Sequence, residues 1–407
     1  MTLWTVERLG RKGDGVAISG DARALAPLVL PGEVIEGEAE DGRIAAASIV
    51  SPSPERVKAP CPHYRACGGC ALMHATDAFT AAWKVQVVMA ALAAQGVEAP
   101  DPTLHVSPLR SRRRAVLSGR RTKKGALLGF HARGSDVIAD LATCLVLRPE
   151  IVAALPLLRR IVTLGASRSA ELSLAVIHGP AGLDVAVRGG KPLEPQLFAG
   201  LAALAAEGDL ARLDWDGETI TRRPPLLPMG RAQIVPPPGA FLQATAEGEA
   251  ALLAAVRRGT EGARRIADLY AGAGTFTLPL AERAAVHAVE GLAAPLHALD
   301  SAWRRTTGLQ QVTTEVRDLA NRPLIAAELA DFDAIVIDPP RSGAARQMAQ
   351  IAAARVGRVV SVACDPVTFS RDARILADAG FRIDRLDVVD QFRFSPHVEI
   401  AAALTRR

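Results

Sequence analysis

Short apolar runs broken by Gly, Asp and Pro fill the first 57 positions: GVAI, APLVL, EVIEGEAE and RIAAASIV. That punctuation predicts about five short strands, enough for a small β-barrel module. A proline-rich hinge, Ser51-Pro-Ser-Pro, follows. From Ala78 to Gln95, AFTAAWKVQVVMAALAAQ sets apolar residues at helical spacing and predicts a helix. Residues 110–124, RSRRRAVLSGRRTKK, hold eight basic residues in fifteen, and GALLGF then resumes an apolar run. The pattern predicts strand, basic turn at 122–125, strand. Between 150 and 235, helical segments (IVAALPLLRRIV, LFAGLAALAAE) alternate with strand-like ones (ELSLAVIHG, GLDVAVRG, ARLDW), which predicts a mixed α/β domain. From about 240 the texture becomes regular: ARRIADLYAG, AAVHAVE, VTTEVRD, DAIVIDPP and RVVSVAC are separated by helical stretches, before a strand-rich end. Strands alternating with helices specify a parallel, doubly wound α/β sheet, whose ligands bind at the carboxyl ends of the strands. The expected domains are 1–57, 58–235 and 236–407.

Composition narrows the class. With 407 residues, 49% hydrophobic and 22% charged, the chain is globular, and collagen-like or disordered compositions are excluded. The longest uncharged, mostly apolar run near its centre, Leu269 to Ala281, falls short of the roughly 18 residues that span a bilayer. The N-terminus lacks an apolar core of signal-peptide length, so the expected location is the cytoplasm, with no membrane partner. The net charge is +5, and only six of the 48 basic residues are lysine. Arginine suits bidentate phosphate contact, so the balance favours a polyanionic partner.

Five cysteines, Cys61, Cys67, Cys70, Cys144 and Cys364, are an odd and uneven set, which argues against a disulfide framework and for metal ligands plus one thiol left over. Cys61-x5-Cys67-Gly-Gly-Cys70 with Cys144 gives four thiolates, a set that holds either a tetrahedral zinc or a [4Fe–4S] cluster. One CxxC with a longer loop and a remote fourth ligand suits the cubane better; His63 and His74 read as packing residues. In the last domain, the first strand ends in Asp268-Leu-Tyr-Ala-Gly272-Ala-Gly274, where two glycines let backbone pass close under a cofactor. An acidic residue then closes strand two (Glu290) and another strand three (Asp318), and IDPP follows strand four. That order is the arrangement of a Rossmann-like S-adenosylmethionine-dependent methyltransferase domain. Cys364 ends a later apolar strand and is a candidate nucleophile. Glu399 enters a strand expected within the sheet, where a carboxylate needs a partner or a task.

These residues resemble the uracil-C5 RNA methyltransferases of the RumA and TrmA type over nearly the whole chain. The carriers are CPHYRACGGCALMH, AFLQAT, DLYAGAGTFTLPLA, IDPPRSGA, VACDPVTFSRD and DQFRFSPHVE, in the family's order. The resemblance implies that Cys364 adds to C6 of a uracil, that Glu399 removes the C5 proton, and that Gln243, Tyr270, Thr275, Glu290, Asp318 and Asp338 contact S-adenosylmethionine. It also implies a [4Fe–4S] cluster, which the ribosomal-RNA members carry. The N-terminal module resembles a TRAM domain, an RNA-binding barrel of the oligonucleotide-binding kind, through Gly13-Asp-Gly15-Val-Ala and Leu30-Pro31-Gly32-Glu33. Together these point to 23S ribosomal RNA as substrate of a monomeric enzyme, with base flipping of the target uridine. The competing readings are uridine methylation in tRNA, a non-catalytic iron–sulfur RNA-binding protein, and amino-group methylation, which the absence of an aromatic after Asp338-Pro-Pro disfavours. Two motifs depart from the family pattern. Asp365 replaces the usual Asn beside Cys364 and is expected to raise the thiol by like-charge repulsion. Arg393 and Ser395 replace the proline-and-threonine pattern before His-Val-Glu.

Overall fold

The structure, a computed structural model, describes residues 2–406. The N-terminal sheet comprises β1 (Thr2–Leu9), β2 (Gly15–Ser19), β3 (Ala22–Ala26), β4 (Val34–Gly37) and β5 (Ser48–Ser51). Its order is β3-β2-β1-β4-β5, antiparallel throughout. Alternating positions turn Trp4, Val6, Ala17, Ala24 and Ile35 into a small core. Backbone bonds Leu25 N→Gly42 O (2.8 Å) and Ile44 N→Leu25 O (2.9 Å) draw the β3 edge toward the segment before β5. The run APLVL, expected as a strand, turns instead, because Pro27 has no N–H to pair and Leu28 adopts φ 60°.

Helix α1 (Asp77–Ala94) starts at Thr76, whose side chain accepts from Phe79 N, and buries Trp83, Lys84, Val88 and Leu92. It leads to β6 (Thr103–Val106). The central sheet holds β7 (Arg114–Thr122), β8 (Gly125–His131) and β9 (Ile138–Asp140). After α2 (Pro149–Ala153) and α3 (Leu155–Gly165) come β10 (Glu171–Gly179) and β11 (Gly182–Arg188), then α4 (Pro195–Glu207), β12 (Arg212–Trp215) and β13 (Glu218–Thr221). The order is β13-β12-β11-β10-β7-β8-β9. Leu158, Ile161 and Val162 of α3 pack on Leu117, Leu128, Leu174 and Val185 of the strands. The basic turn falls where the sequence puts it, with Thr122 paired to Gly125.

Hairpin strands β14 (Leu227–Met229) and β15 (Ala232–Ile234) pack into the core of the last sheet. That region runs α5 (Ala246–Gly259), β16 (Arg265–Leu269), α6 (Thr277–Leu280), β17 (Ala285–Glu290), α7 (Ala293–Arg305), β18 (Val312–Val316) and α8 (Ala326–Leu329). It continues with β19 (Ala334–Ile337), α9 (Ala345–Ala353), β20 (Arg358–Ala363), α10 (Pro366–Asp378), β21 (Phe381–Asp390) and β22 (Glu399–Arg406). The order is β18-β17-β16-β19-β20-β22-β21-β6. The first five of these strands pair parallel, and every residue of β19 is buried, as expected for a strand covered on both faces. The sheet is not parallel throughout: β22 runs antiparallel between β20 and β21. Helix α1 and β6 lie within residues 58–235, yet α1 packs on this sheet and β6 forms its edge beside β21. No helix among the described residues is long and apolar enough to cross a membrane.

Candidate active site

Strand register builds the centre of the site. Ala363 of β20 pairs with Ile400 of β22, and in an antiparallel ladder the next pair outward is Cys364 and Glu399. Residues far apart in the chain thus meet where the strand of Cys364 ends. Helix α10 begins at once behind the thiol: Asp365 is its N-cap, accepting from Val367 N (2.9 Å) and Thr368 N (3.3 Å), and Pro366 occupies its first turn. The thiol is raised to about 11 by burial and by the Glu399 and Asp338 carboxylates, while the charge of the Arg341 guanidinium opposes them. The Asp365 carboxylate, expected to raise the thiol by like-charge repulsion, is turned to the helix N–H groups. Burial, with Asp338 adding to it, pushes Glu399 up to about 8. Burial alone pushes Asp338 up to about 7.

The glycine turn after β16 forms a second wall. Tyr270, Gly272 and Gly274 all take positive φ (61°, 55° and 94°). A Cβ at Gly274 would lie 2.9 Å from Leu299 of α7, so only glycine lets helix and turn approach; a Cβ at Gly272 would meet nothing within 4 Å and would project into open space. Glu290 accepts from Gly272 N and Leu292 N, both at 3.0 Å, one bond to each carboxylate oxygen. A lone pair on each oxygen remains for a diol. The turn, the open space above Gly272 and this carboxylate fit the ribose and amino-acid ends of S-adenosylmethionine.

A cavity of about 1510 Å³ joins these walls. All of the site residues expected from sequence line it except Asp318: Cys61, Cys67, Cys70 and Cys144, with Gln243, Tyr270, Thr275, Glu290, Asp338, Cys364 and Glu399. Asp318 instead accepts from Ala320 N (3.0 Å) and Asn321 Nδ2 (2.6 Å), holding the loop after β18. Burial and then the neighbouring thiolates, Cys144 first, raise Cys70 to about 12, so the four cysteines feel one another. Even so, no group of three or more His, Cys, Asp or Glu side chains among the described residues is drawn tightly enough to hold a single metal ion. His74 is buried and bonded to Tyr64 Oη (2.6 Å), and His63 accepts from Ala142 N (3.1 Å), the structural roles expected of them.

Several neighbours of the reacting groups escaped the sequence analysis. Gln391 Nε2 donates to Gln243 Oε1 at 2.6 Å, which leaves the Gln243 Nε2 hydrogens free. Arg341 Nη2 lies 3.4 Å from His397 Nδ1, and its charge lowers the Cys364 thiol. Phe241, 66% exposed, stands at the mouth with the Arg114 guanidinium 5.5 Å from its ring centroid. Phe241, Arg341, Gln391 and His397 all lie inside the motifs AFLQAT, IDPPRSGA and DQFRFSPHVE, so the motifs themselves were the available signal.

Residues 303–407 match the tRNA (Uracil-5-)-methyltransferase family. An RNA methyltransferase of Brucella suis is 42% identical across 99% of this chain and 97% of its own. The 23S rRNA (uracil(1939)-C(5))-methyltransferase RlmD of Chromohalobacter salexigens is 33% identical across 99% of this chain and 89% of its own. The tRNA (uracil-54, C5)-methyltransferase of Pyrococcus abyssi, solved with S-adenosyl-L-homocysteine, shares the fold with a TM-score of 0.76 at 21% identity, covering 98% of this chain and 99% of that one. Full-length likeness of this order, on a site that joins a glycine-turn cofactor wall to a cysteine and a glutamate, places the chain in the S-adenosylmethionine-dependent RNA (uracil-5-)-methyltransferase family.

Proposed function

We propose that the protein methylates C5 of a uridine in 23S ribosomal RNA, with Cys364 as nucleophile and Glu399 as base. The observation that carries this reading is the β20–β22 register, which sets Cys364 against Glu399 within one cavity. Uracil C5 is a poor nucleophile. When the Cys364 thiolate bonds to C6, the C5–C6 π pair moves into an enolate and C5 becomes reactive. Tyr270, Thr275, Glu290 and Asp338 would hold S-adenosylmethionine, which would supply an electrophilic methyl to that carbon, the S–CH3 bonding pair staying on sulfur as S-adenosylhomocysteine. Glu399 then takes the C5 proton, the pair left behind restores C5=C6, and the C6–S bond breaks to release Cys364. The Arg341 guanidinium, whose charge lowers the thiol, favours the thiolate. The pocket is large enough to receive a base flipped from its stack as well as the cofactor.

Cys61, Cys67, Cys70 and Cys144 are the ligands of a [4Fe–4S] cluster in this reading. Their sulfur-only donor set fits it, and all four line the same cavity. The N-terminal sheet serves as an RNA-binding module of the TRAM kind, with Lys12 at the cavity rim and the Asp14–Arg133 ion pair (3.3 Å) anchoring it. The four cysteines and this module favour ribosomal RNA over tRNA. The test is to map 5-methyluridine in ribosomal and transfer RNA from a deletion strain, with and without the gene restored. Loss and recovery at a 23S position supports the assignment, whereas loss confined to tRNA overturns it.

A further inference from the structure

The run Arg112-Arg113-Arg114 leads into β7 at the strand end that borders the cavity, and side chains alternate along an extended strand. The middle arginine is engaged elsewhere. Arg113, buried and outside the cavity lining, donates to Glu249 Oε2 (2.6 Å) and to Gln243 O (3.2 Å). Arg112 and Arg114 line the cavity. Three other arginines do so too, but Arg133 pairs with Asp14 (3.3 Å), Arg393 pairs with Asp77 (2.6 Å), and Arg341 stands beside His397 (3.4 Å). Among the described residues, Arg112 and Arg114 meet no carboxylate within 4.0 Å. Arg112 Nε donates to Arg114 O (3.0 Å), whereas Arg114 Nε is buried with no hydrogen-bond partner among the described residues. A buried charged donor without an acceptor is costly, so it marks a place where an anion belongs. Burial disfavours both charges, and the Arg114 charge further disfavours that of Arg112, which Cys144 and then Cys70 favour.

We propose that Arg112 and Arg114 form a clamp for one backbone phosphate of the RNA strand beside the flipped uridine. A phosphodiester brings a negative charge and two oxygens that accept from the planar guanidinium fork, whereas uracil itself is neutral. Each fork is steadied by a ring: the Arg112 guanidinium carbon lies 5.7 Å from the Phe392 centroid, and that of Arg114 5.5 Å from the Phe241 centroid. The Arg112 backbone is pinned as well, by Arg112 N→Val146 O (3.0 Å) and Arg148 N→Arg112 O (2.9 Å). The clamp is also close to the chemistry. Phe392 meets His397 edge-on at 6.0 Å, and His397 adjoins Arg341, whose charge acts on Cys364. A grip on the phosphate holds the nucleotide out of its stack while the base lies against the thiol.

The inference rests on the reading that a uridine enters this cavity, not on what Cys364 does there, so the two are tested apart. The experiment takes wild type, Arg112→Met, Arg114→Met and Arg114→Lys with RNA fragments holding the methylated uridine, in which one phosphate at a time near that uridine is a neutral methylphosphonate. Each such linkage has a 2′-deoxy sugar on its 5′ side and is compared with the deoxy phosphate. RNA affinity by fluorescence anisotropy, KM and Tm are measured. Each Met variant should weaken RNA binding about tenfold or more and raise KM for RNA, and Arg114→Lys, which keeps the charge but not the fork, should recover part of the loss. At one position the methylphosphonate should weaken wild type by a similar factor and Arg114→Met hardly at all, since the contact is already gone. Without RNA, Arg114→Met should melt no lower than wild type, because an unpaired buried charge is removed; a lower Tm would make the arginine structural and overturn the inference. Methylphosphonates that weaken wild type and variant equally at every position also overturn it. So does a loss of iron or of S-adenosylmethionine affinity in place of RNA affinity, which would assign the pair to the cysteines or to the cofactor. If the clamp behaves as stated but wild type forms no adduct with 5-fluorouridine RNA, the catalytic assignment fails and the clamp stands.

Discussion

At Cys364 and Glu399 the protein keeps protonated two groups that the proposed reaction needs ionised. The thiol sits at about 11 and the carboxyl at about 8, each raised first by burial and then by neighbouring acids. An acid whose value is raised gains its charge only as pH climbs through the raised value. Single-turnover kcat/KM should therefore increase from pH 6 to 9, with a limb near 8 from Glu399, and a flat or falling profile would contradict the assignment. The same shift makes a stability prediction. Folded Glu399 retains a proton that the unfolded chain loses near its ordinary value of 4.5, so folding stability is lost as pH rises between 4.5 and about 8. Glu399→Gln does not titrate. Its Tm should match wild type near pH 4.5 and exceed it at pH 9, and calorimetry that finds no pH-dependent gap would show that Glu399 is not raised.

At the scale of elements, α10 and the β16 turn carry their own tests. Asp365→Ala removes the N-cap of α10 and should cost about 1 kcal/mol of stability, whereas Asp365→Asn keeps the cap and should leave both stability and the pH limb unchanged. A shifted limb in the Asn variant would restore the like-charge effect on Cys364. Gly274→Val meets Leu299 and a φ of 94°, and should destabilise by about 2 kcal/mol or more in a denaturant titration. These elements also show what the sequence could and could not reveal. Strand ends were legible because apolar runs stop at residues that carry chemistry, as at Asp338 and Cys364. The insertion of β22 antiparallel beside β20 was not, since no local pattern names a strand's neighbour. Gln391 sits in plain view inside DQFRFSPHVE, but its partner Gln243 lies 148 positions away, and only the fold joins them. Asp318, expected at the end of strand three, lies two positions beyond β18, where its side chain caps its own loop.

Across the whole molecule, one cavity is bounded by the cysteine loop, the central sheet and the methyltransferase sheet, with the N-terminal module at its rim. The basic β7–β8 turn lies at the other end of these strands from Arg114, Phe130 and His131, which line the cavity. Replacing Arg121, Lys123 and Lys124 with alanine should weaken RNA binding and reduce the slope of log affinity against log salt by about 2, at ~0.7 per phosphate contact in single strands. Methyl transfer at saturating RNA should be unchanged, and an unaltered salt slope by fluorescence anisotropy would remove the turn from the interface. The central claim is that uridine methylation passes through a covalent bond to Cys364. Incubating the protein with S-adenosylmethionine and 5-fluorouridine-containing 23S RNA fragments, then locating the adduct by peptide mass spectrometry, tests it most directly. The account predicts a stable adduct on the peptide bearing Cys364, absent in Cys364→Ala; an adduct that persists in that variant, or maps to any other residue, would contradict it.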